Sequence, residues 1–182
     1  AAPAETPKVW ADKVGFWSDV GGVDFSPAAD IAAQRLSLAE ITEPQLIGKP
    51  VQLAFLDLKL IESTDLRVKF RSVFRRKGHV HGLAGWFTAY LGEGITLSTA
   101  PTQPLTHWKQ AWLPISESVA VDHGEYVDVT LHIRSHPDQE RQADGALIQY
   151  TWEFAEAQVG IDVRWTMDCP CESGKTLSMC CG

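Results

Sequence analysis

The first 168 positions of this 182-residue sequence contain no cysteine; all four stand at 169, 171, 180 and 181. A disulfide-stapled secreted domain would spread its cysteines through the fold, so that class is excluded and the cluster points to local chemistry. A cationic excess is also missing. Sixteen basic against twenty-three acidic side chains leave a net charge of −7, which argues against nucleic acid as a partner and suits a cationic peptide. No apolar run reaches membrane-spanning length, and the first residues carry no signal-peptide pattern, so no membrane partner and an intracellular setting, cytoplasmic or nuclear, are expected. Repeats and low-complexity tracts are absent. An initiating Met is absent too, which fits a segment of something longer. Finally, no G-x-G-x-x-G opens a βα unit, so a Gly-rich cofactor loop is not expected.

What is present is core material. Apolar residues make up 45% of the chain, with seven Trp and seven Phe, enough for one domain with a proper interior. Ala1 to Pro7 is small and proline-containing and reads as a disordered start. Val9 to Val20 reads as an irregular apolar cluster. Ser26 offers an N-cap oxygen before Pro27, and Ala28, Ile31, Ala32 and Arg35 follow at helical spacing, predicting a helix over 27–35. Thr42 and Gln45 form a capping-box pair for a short turn that Gly48 stops.

From Val51 the period changes to two. Val51, Leu53 and Phe55 alternate, although Leu56, Leu58 and Leu60 make the second face apolar as well. Leu66, Val68 and Phe70 alternate with Arg67, Lys69 and Arg71, the pattern of a half-buried strand. Arg75–Arg76–Lys77–Gly78 reads as a solvated turn. Val127, Val129, Leu131 and Ile133 alternate with Asp128, Thr130, His132 and Arg134, and Leu147 to Phe154 and Ile161 to Met167 are expected to close the set. Many short strands, frequent turn signals and few helices predict an antiparallel barrel or sandwich.

The stretch from Leu83 to Leu113 carries the candidate chemistry. It alternates, turns at Gly92–Glu93–Gly94, resumes over Ile95 to Thr99, and then enters a loop containing Pro101 and Pro104 that ends in Thr106–His107–Trp108. Two prolines stiffen the loop, and loops held by a rigid sheet are where function sits. Taken alone, a His-Trp pair is usually structural, with the ring packed and the imidazole bonded to backbone.

WFTAYL, GITLSTAP and THWKQ before an apolar strand, together with the upstream VHGLAGWF and FWSDVGGVDFS, resemble the C-terminal β-barrel domain of protein arginine methyltransferases from about Phe16 to Met167. The resemblance selects a mainly β fold: an antiparallel β-barrel over 49–168, preceded over 1–48 by a helical segment like that family's dimerisation arm. It implies that Thr106, His107 and Trp108 border the substrate arginine. Trp108 would wall the channel, since a guanidinium stacks on an indole face. His107 would support catalysis by hydrogen-bonding an acidic group of the catalytic half, without being the chemical base. His81 matches the family's VH-x-x-x-x-F pattern and is expected to be structural.

S-adenosylmethionine and the paired Glu belong, in the family, to a preceding Rossmann-like domain; this segment has neither and is expected to be inactive alone. The implied partners are an arginine-containing protein or peptide and, in the full-length form, a second copy. A stand-alone binding module or pseudoenzyme subunit is the alternative from another functional class. The end of the chain, CPCESGKTLSMCCG, is similar to the SEC-C motif, with Glu172 in place of its usual glycine. That resemblance implies zinc held by Cys169, Cys171, Cys180 and Cys181 in a tail over 169–182, with a protein partner for the tail.

Overall fold

The structure, a computed structural model, describes residues 1–63, 65–135 and 148–156. They fall into two compact units: Ala1–Val51 with Ser72–Tyr126, and Gln52–Arg71 with the residues from Val127 onward.

The first unit is built on a four-stranded sheet. Its strands are β1 (Ala2–Ala4), β2 (Ser37–Ala39), β4 (Gly78–Gly85) and β7 (Gln110–Val121), in the order β1-β4-β7-β2. Both three-residue strands lie at edges, where Pro3 of β1 costs no central ladder bond. Every register in the sheet is antiparallel, with Ala4 opposite Gly82, Leu83 opposite Leu113 and Ser37 opposite Trp112. Pro114, in the middle of β7, faces Gly82 where the register shifts after Val80. That bulge is where a residue without a donor N–H fits. The close approach also fixes Gly82, because a Cβ there would lie 2.4 Å from the Leu113 carbonyl oxygen.

Trp112 centres the core of this unit and is fully buried among Ala2, Ala4, Val14, Ala33, Ala39, Ile41, Leu46 and Ala84. Four alanines from the strands leave the volume that one indole fills. Two short helices cover it: α1 (Pro7–Lys13), extended by a 3₁₀ turn over Gly15–Ser18, and α2 (Ser26–Ala33). A hairpin of β5 (Thr88–Gly92) and β6 (Ile95–Ser98) turns at Glu93–Gly94, with Gly94 at φ 71°.

The second unit holds the sheet β3-β8-β9, made of β3 (Leu66–Val73), β8 (Tyr126–Ser135) and β9 (Ile148–Glu156). β3 begins in this unit, and its last two residues belong to the first. β8 and β9 pair antiparallel, with Leu131 opposite Trp152. Val127, Val129 and Leu131 are buried, and Ile133 is half-buried. On the outside, Arg71 grips Asp128 with two hydrogen bonds of 2.7 Å, which hold that carboxyl below its usual range.

The expected class, mainly β with antiparallel sheets and few helices, is the one found. Several local expectations need correction. Ala1 to Pro7 is not a disordered start: its small residues pair with β4 and lie under Trp112. Val9 to Val20 is ordered as α1 and the 3₁₀ turn. Ser26 does not cap α2; Phe25 takes the N-cap position, and the Ser26 N–H instead donates to Asp24 Oδ1 at 2.8 Å. Ile31 points outward and is 56% exposed, so the core face of α2 is carried by Ala33. Val51 to Leu60 forms no strand, because with both faces apolar its pattern specifies no half-buried face; Phe55, Leu58 and Leu60 are exposed. The Thr42–Gln45 pair forms as expected around a 3₁₀ turn, with the Thr42 N–H donating to Gln45 Oε1 at 2.8 Å. Gly48 does not end that turn but bridges to Phe74, where a Cβ would strike Pro3 and the Ser72 hydroxyl. The expected strand Ile161 to Met167 lies outside the described residues.

Candidate functional site

The loop between β6 and β7 starts and ends on buried polar residues. Thr99 and Gln110 are almost wholly inaccessible. The Gln110 side-chain amide donates from Nε2 to the Thr99 carbonyl oxygen at 2.8 Å, and its Oε1 accepts the Ile41 N–H at 2.8 Å. Thr99 is tied in turn to Phe87, whose carbonyl takes the Thr99 N–H at 3.0 Å and whose own N–H donates to Thr99 Oγ1 at 3.2 Å. The two ends of the loop are thereby held together, and a buried amide with both ends satisfied specifies one arrangement.

Within the loop, turns close from the Gln103 N–H to the Ala100 carbonyl (2.9 Å) and from the Lys109 N–H to the Thr106 carbonyl (3.1 Å). The second turn carries the Thr-His-Trp run. Lys109 has φ 54°, the left-handed region that a non-glycine residue enters at a cost of about 1 kcal/mol or more. Its Nζ lies 3.1 Å from Glu40 Oε1. Among the described residues His107 and Trp108 make no hydrogen bond or ion pair, and both face solvent, the indole at 54% exposure. Thr106 Oγ1 is buried without a partner among them. Leu105 within the loop and Phe87, bonded to Thr99 at the loop's start, are exposed apolar side chains as well. The structure therefore presents an unencumbered imidazole and a flat aromatic face on a fixed corner. That corner can stack on a planar cation and accept or donate one hydrogen bond.

The motif had drawn attention to Thr106, His107 and Trp108 but not to what holds them. Lys109 and Gln110 stand in the same THWKQ run, and that run was the available signal. Glu40 and Ile41 carried none.

A second buried polar group lies at the start of α1. Thr6 is fully buried; its hydroxyl accepts the Trp112 Nε1–H at 3.1 Å, and its N–H points to His81 Nδ1 at 3.3 Å. His81 is buried, with its ring centroid 6.3 Å from that of Trp10 and its Nδ1 toward backbone groups. Burial holds its pKa below the ordinary value, against the His79 carbonyl, which Nδ1 can meet only when it carries a proton and so no longer accepts the Thr6 N–H, and against the charge of Glu5; both act to raise it. Burial also pushes the Glu5 carboxyl up, but the His79 N–H and the Arg76 guanidinium outweigh it and leave that group below its usual range.

For His81 the sign is clear. The unfolded chain takes up a proton near the ordinary value of 6.5 before the folded one does, so stability is full above that pH and falls as the pH drops below it. Denaturant midpoints measured from pH 7.5 to 5 should fall. His81→Asn, which keeps an acceptor near Nδ1, should flatten that slope; an unchanged slope would assign it to other groups.

Among the described residues no Gly-rich loop joins a strand to a helix N-terminus; the Gly22 N–H of the Gly21–Gly22 turn is taken by Asp19 Oδ1 at 2.8 Å, and Gly92–Glu93–Gly94 turns a hairpin. No group of three or more metal-ligating side chains occurs among the described residues either. Cys169, Cys171, Cys180 and Cys181, the expected zinc ligands, lie outside them.

Residues 1–155 match the family described as the arginine methyltransferase oligomerization subdomain. The chain is 28% identical over 170 residues to human protein arginine N-methyltransferase 2, covering 86% of this chain and 39% of that one. It is 28% identical over 151 residues to protein arginine N-methyltransferase 1 of Schizosaccharomyces pombe, covering 80% and 44%. Among solved structures, the Trypanosoma brucei PRMT1 enzyme–prozyme heterotetrameric complex with AdoHcy shares its fold at a TM-score of 0.73, with 16% identity over 90% of this chain and 52% of that one. Arabidopsis thaliana protein arginine methyltransferase 10 does so at 0.58, with 19% identity over 90% and 56%. The chain thus spans about two fifths of the length of these curated relatives.

Proposed function

Because the chain belongs to the arginine methyltransferase oligomerization subdomain family, we propose that it is the dimerising and substrate-facing part of a protein arginine N-methyltransferase. The observation that carries this reading is the His107–Trp108 corner, exposed and without hydrogen-bond partners among the described residues, at the end of a loop whose two ends are locked together by Gln110. A guanidinium stacks on the face of an exposed indole. His107, which makes no hydrogen bond or ion pair among the described residues, is available to an acidic group of the catalytic half. The chain's work is to bind and orient the arginine, so that the nucleophilic nitrogen is presented in line. S-adenosylmethionine, held by that catalytic half, supplies the methyl group.

Calorimetric titration tests the division of labour. The chain alone should bind no S-adenosylmethionine at micromolar concentrations and transfer no methyl group to an arginine peptide, whereas joined to its catalytic half it should do both. Micromolar binding by the chain alone would overturn the proposal.

Dimerisation is assigned to the segment from the 3₁₀ turn through α2. Phe16, Val23, Phe25 and Ile31 are all more than two-fifths exposed there, an unusual apolar display for so short a stretch. They would dock on the catalytic half of a second subunit. Ile31→Asp should leave the chain folded and weaken the dimer of the full-length protein about thirtyfold or more, the effect of losing one interface anchor of about 2 kcal/mol. Sedimentation velocity reads the result, and an unaltered dimer would move the interface elsewhere.

A further inference from the structure

We infer that Gln110 and Lys109 are positioning residues that moor the His107–Trp108 corner to the segment leading out of α2, so that a displacement of the N-terminal helices is passed to the indole. The functional meaning rests on the reading of Trp108 as arginine-facing; the mooring itself does not.

Three successive residues grip two. Ala39 pairs with Gln110 across β2 and β7, Glu40 Oε1 meets Lys109 Nζ at 3.1 Å, and the Ile41 N–H donates to Gln110 Oε1. The amide's orientation follows from its partners, since only Oε1 can accept from an N–H and only Nε2 can donate to the Thr99 carbonyl. One buried side chain therefore joins the residue-41 backbone, the start of the loop and its end. Lys109 is the one non-glycine residue with positive φ among those described, and it directly follows Trp108. A conformation of that kind persists only where its surroundings hold it. On the other side the path to the helices is short: α2 ends at Ala33 and β2 begins at Ser37. A partner seated on the exposed Ile31 of α2 would act on the grip through that connection. By reciprocity, an occupied Trp108 would favour the docked helices.

Labelling the chain with 5-fluorotryptophan and assigning the Trp108 resonance by Trp108→Phe gives the test. Gln110→Glu keeps an acceptor for Ile41 but sets a second acceptor against the Thr99 carbonyl. It should move the Trp108 resonance by more than its linewidth. Glu40→Ala, at an exposed site, should move it less, and the resonance of Trp152 in the other unit should stay in place in both. A Trp108 resonance unmoved in folded Gln110→Glu overturns the inference. If that variant does not fold, Glu40→Ala decides, and an unmoved resonance there overturns it equally.

Joined to the catalytic half, Gln110→Glu should raise the KM for an arginine peptide about tenfold while kcat falls less, as expected for misplacement without loss of a reacting group. A moved resonance with unchanged KM would leave the mooring standing and defeat the substrate reading. An unmoved resonance with raised KM would defeat the mooring alone.

Discussion

Trp112→Ala is expected to cost the chain about 3–5 kcal/mol, the range for deleting a large aromatic from a packed core. Against a total stability of about 5–15 kcal/mol for an ordinary domain, that is a large share of what holds the fold. The site has little means of collapsing around the hole. Trp112 is fully buried, its immediate neighbours include Ala2, Ala4, Ala33, Ala39 and Ala84, and alanine side chains cannot swing inward to fill an indole's volume. Three segments distant from it in sequence lean on it: β1, the end of α2 and β2. The loss should thus appear as release of residues 1–41 from β4 and β7. Urea unfolding followed by circular dichroism gives the number, with Thr6→Val as companion. That change strands the Trp112 N–H without its acceptor and should cost about 1–3 kcal/mol, while the core volume is kept. A Trp112→Ala midpoint shift worth less than about 1 kcal/mol would mean the core of this unit is centred elsewhere.

The β8 and β3 strands were legible because their two faces differ: the apolar face of β8 is buried, and that of β3 is half-buried against an exposed face of Arg67, Lys69 and Arg71. Val127, Val129 and Leu131 alternate with polar residues, and the period of two had only one way to be satisfied. The hairpin at Gly92–Gly94 was legible from glycine's freedom at positive φ. The same rule failed at Val51 to Leu60, since periodicity reports a pattern and not a partner strand. It failed differently at Ala2–Ala4. Ala-Pro-Ala has no period and no propensity, and becomes a strand only because small residues are what fits between β4 and Trp112.

The candidate site divides along the same line. Thr106, His107 and Trp108 were visible as a local motif. Their support was not, because the Gln110 amide reaches Ile41 across 69 positions, and no local pattern announces a contact of that separation. Ile31 offers the reverse lesson. Its spacing marked a helix but not which face is buried, and the buried side of α2 is carried by Ala33 while Ile31 is exposed.

Trp108→Ala is the second change with a large expected effect, and it bears on function alone. The indole is 54% exposed and makes no hydrogen bond among the described residues, so its loss should alter stability by no more than about 0.5 kcal/mol. A guanidinium stacked on an indole away from water gains about 2 kcal/mol, which corresponds to about thirtyfold in kcat/KM. Trp108→Phe keeps a ring face and should recover most of that. Methyl transfer from S-adenosylmethionine to an arginine peptide is to be measured for the chain joined to its catalytic half, wild type beside Trp108→Ala, with thermal unfolding recorded for each. A fall of tenfold or more in kcat/KM at unchanged unfolding temperature is the result expected of an arginine-facing corner; an unchanged rate in an intact fold would contradict it.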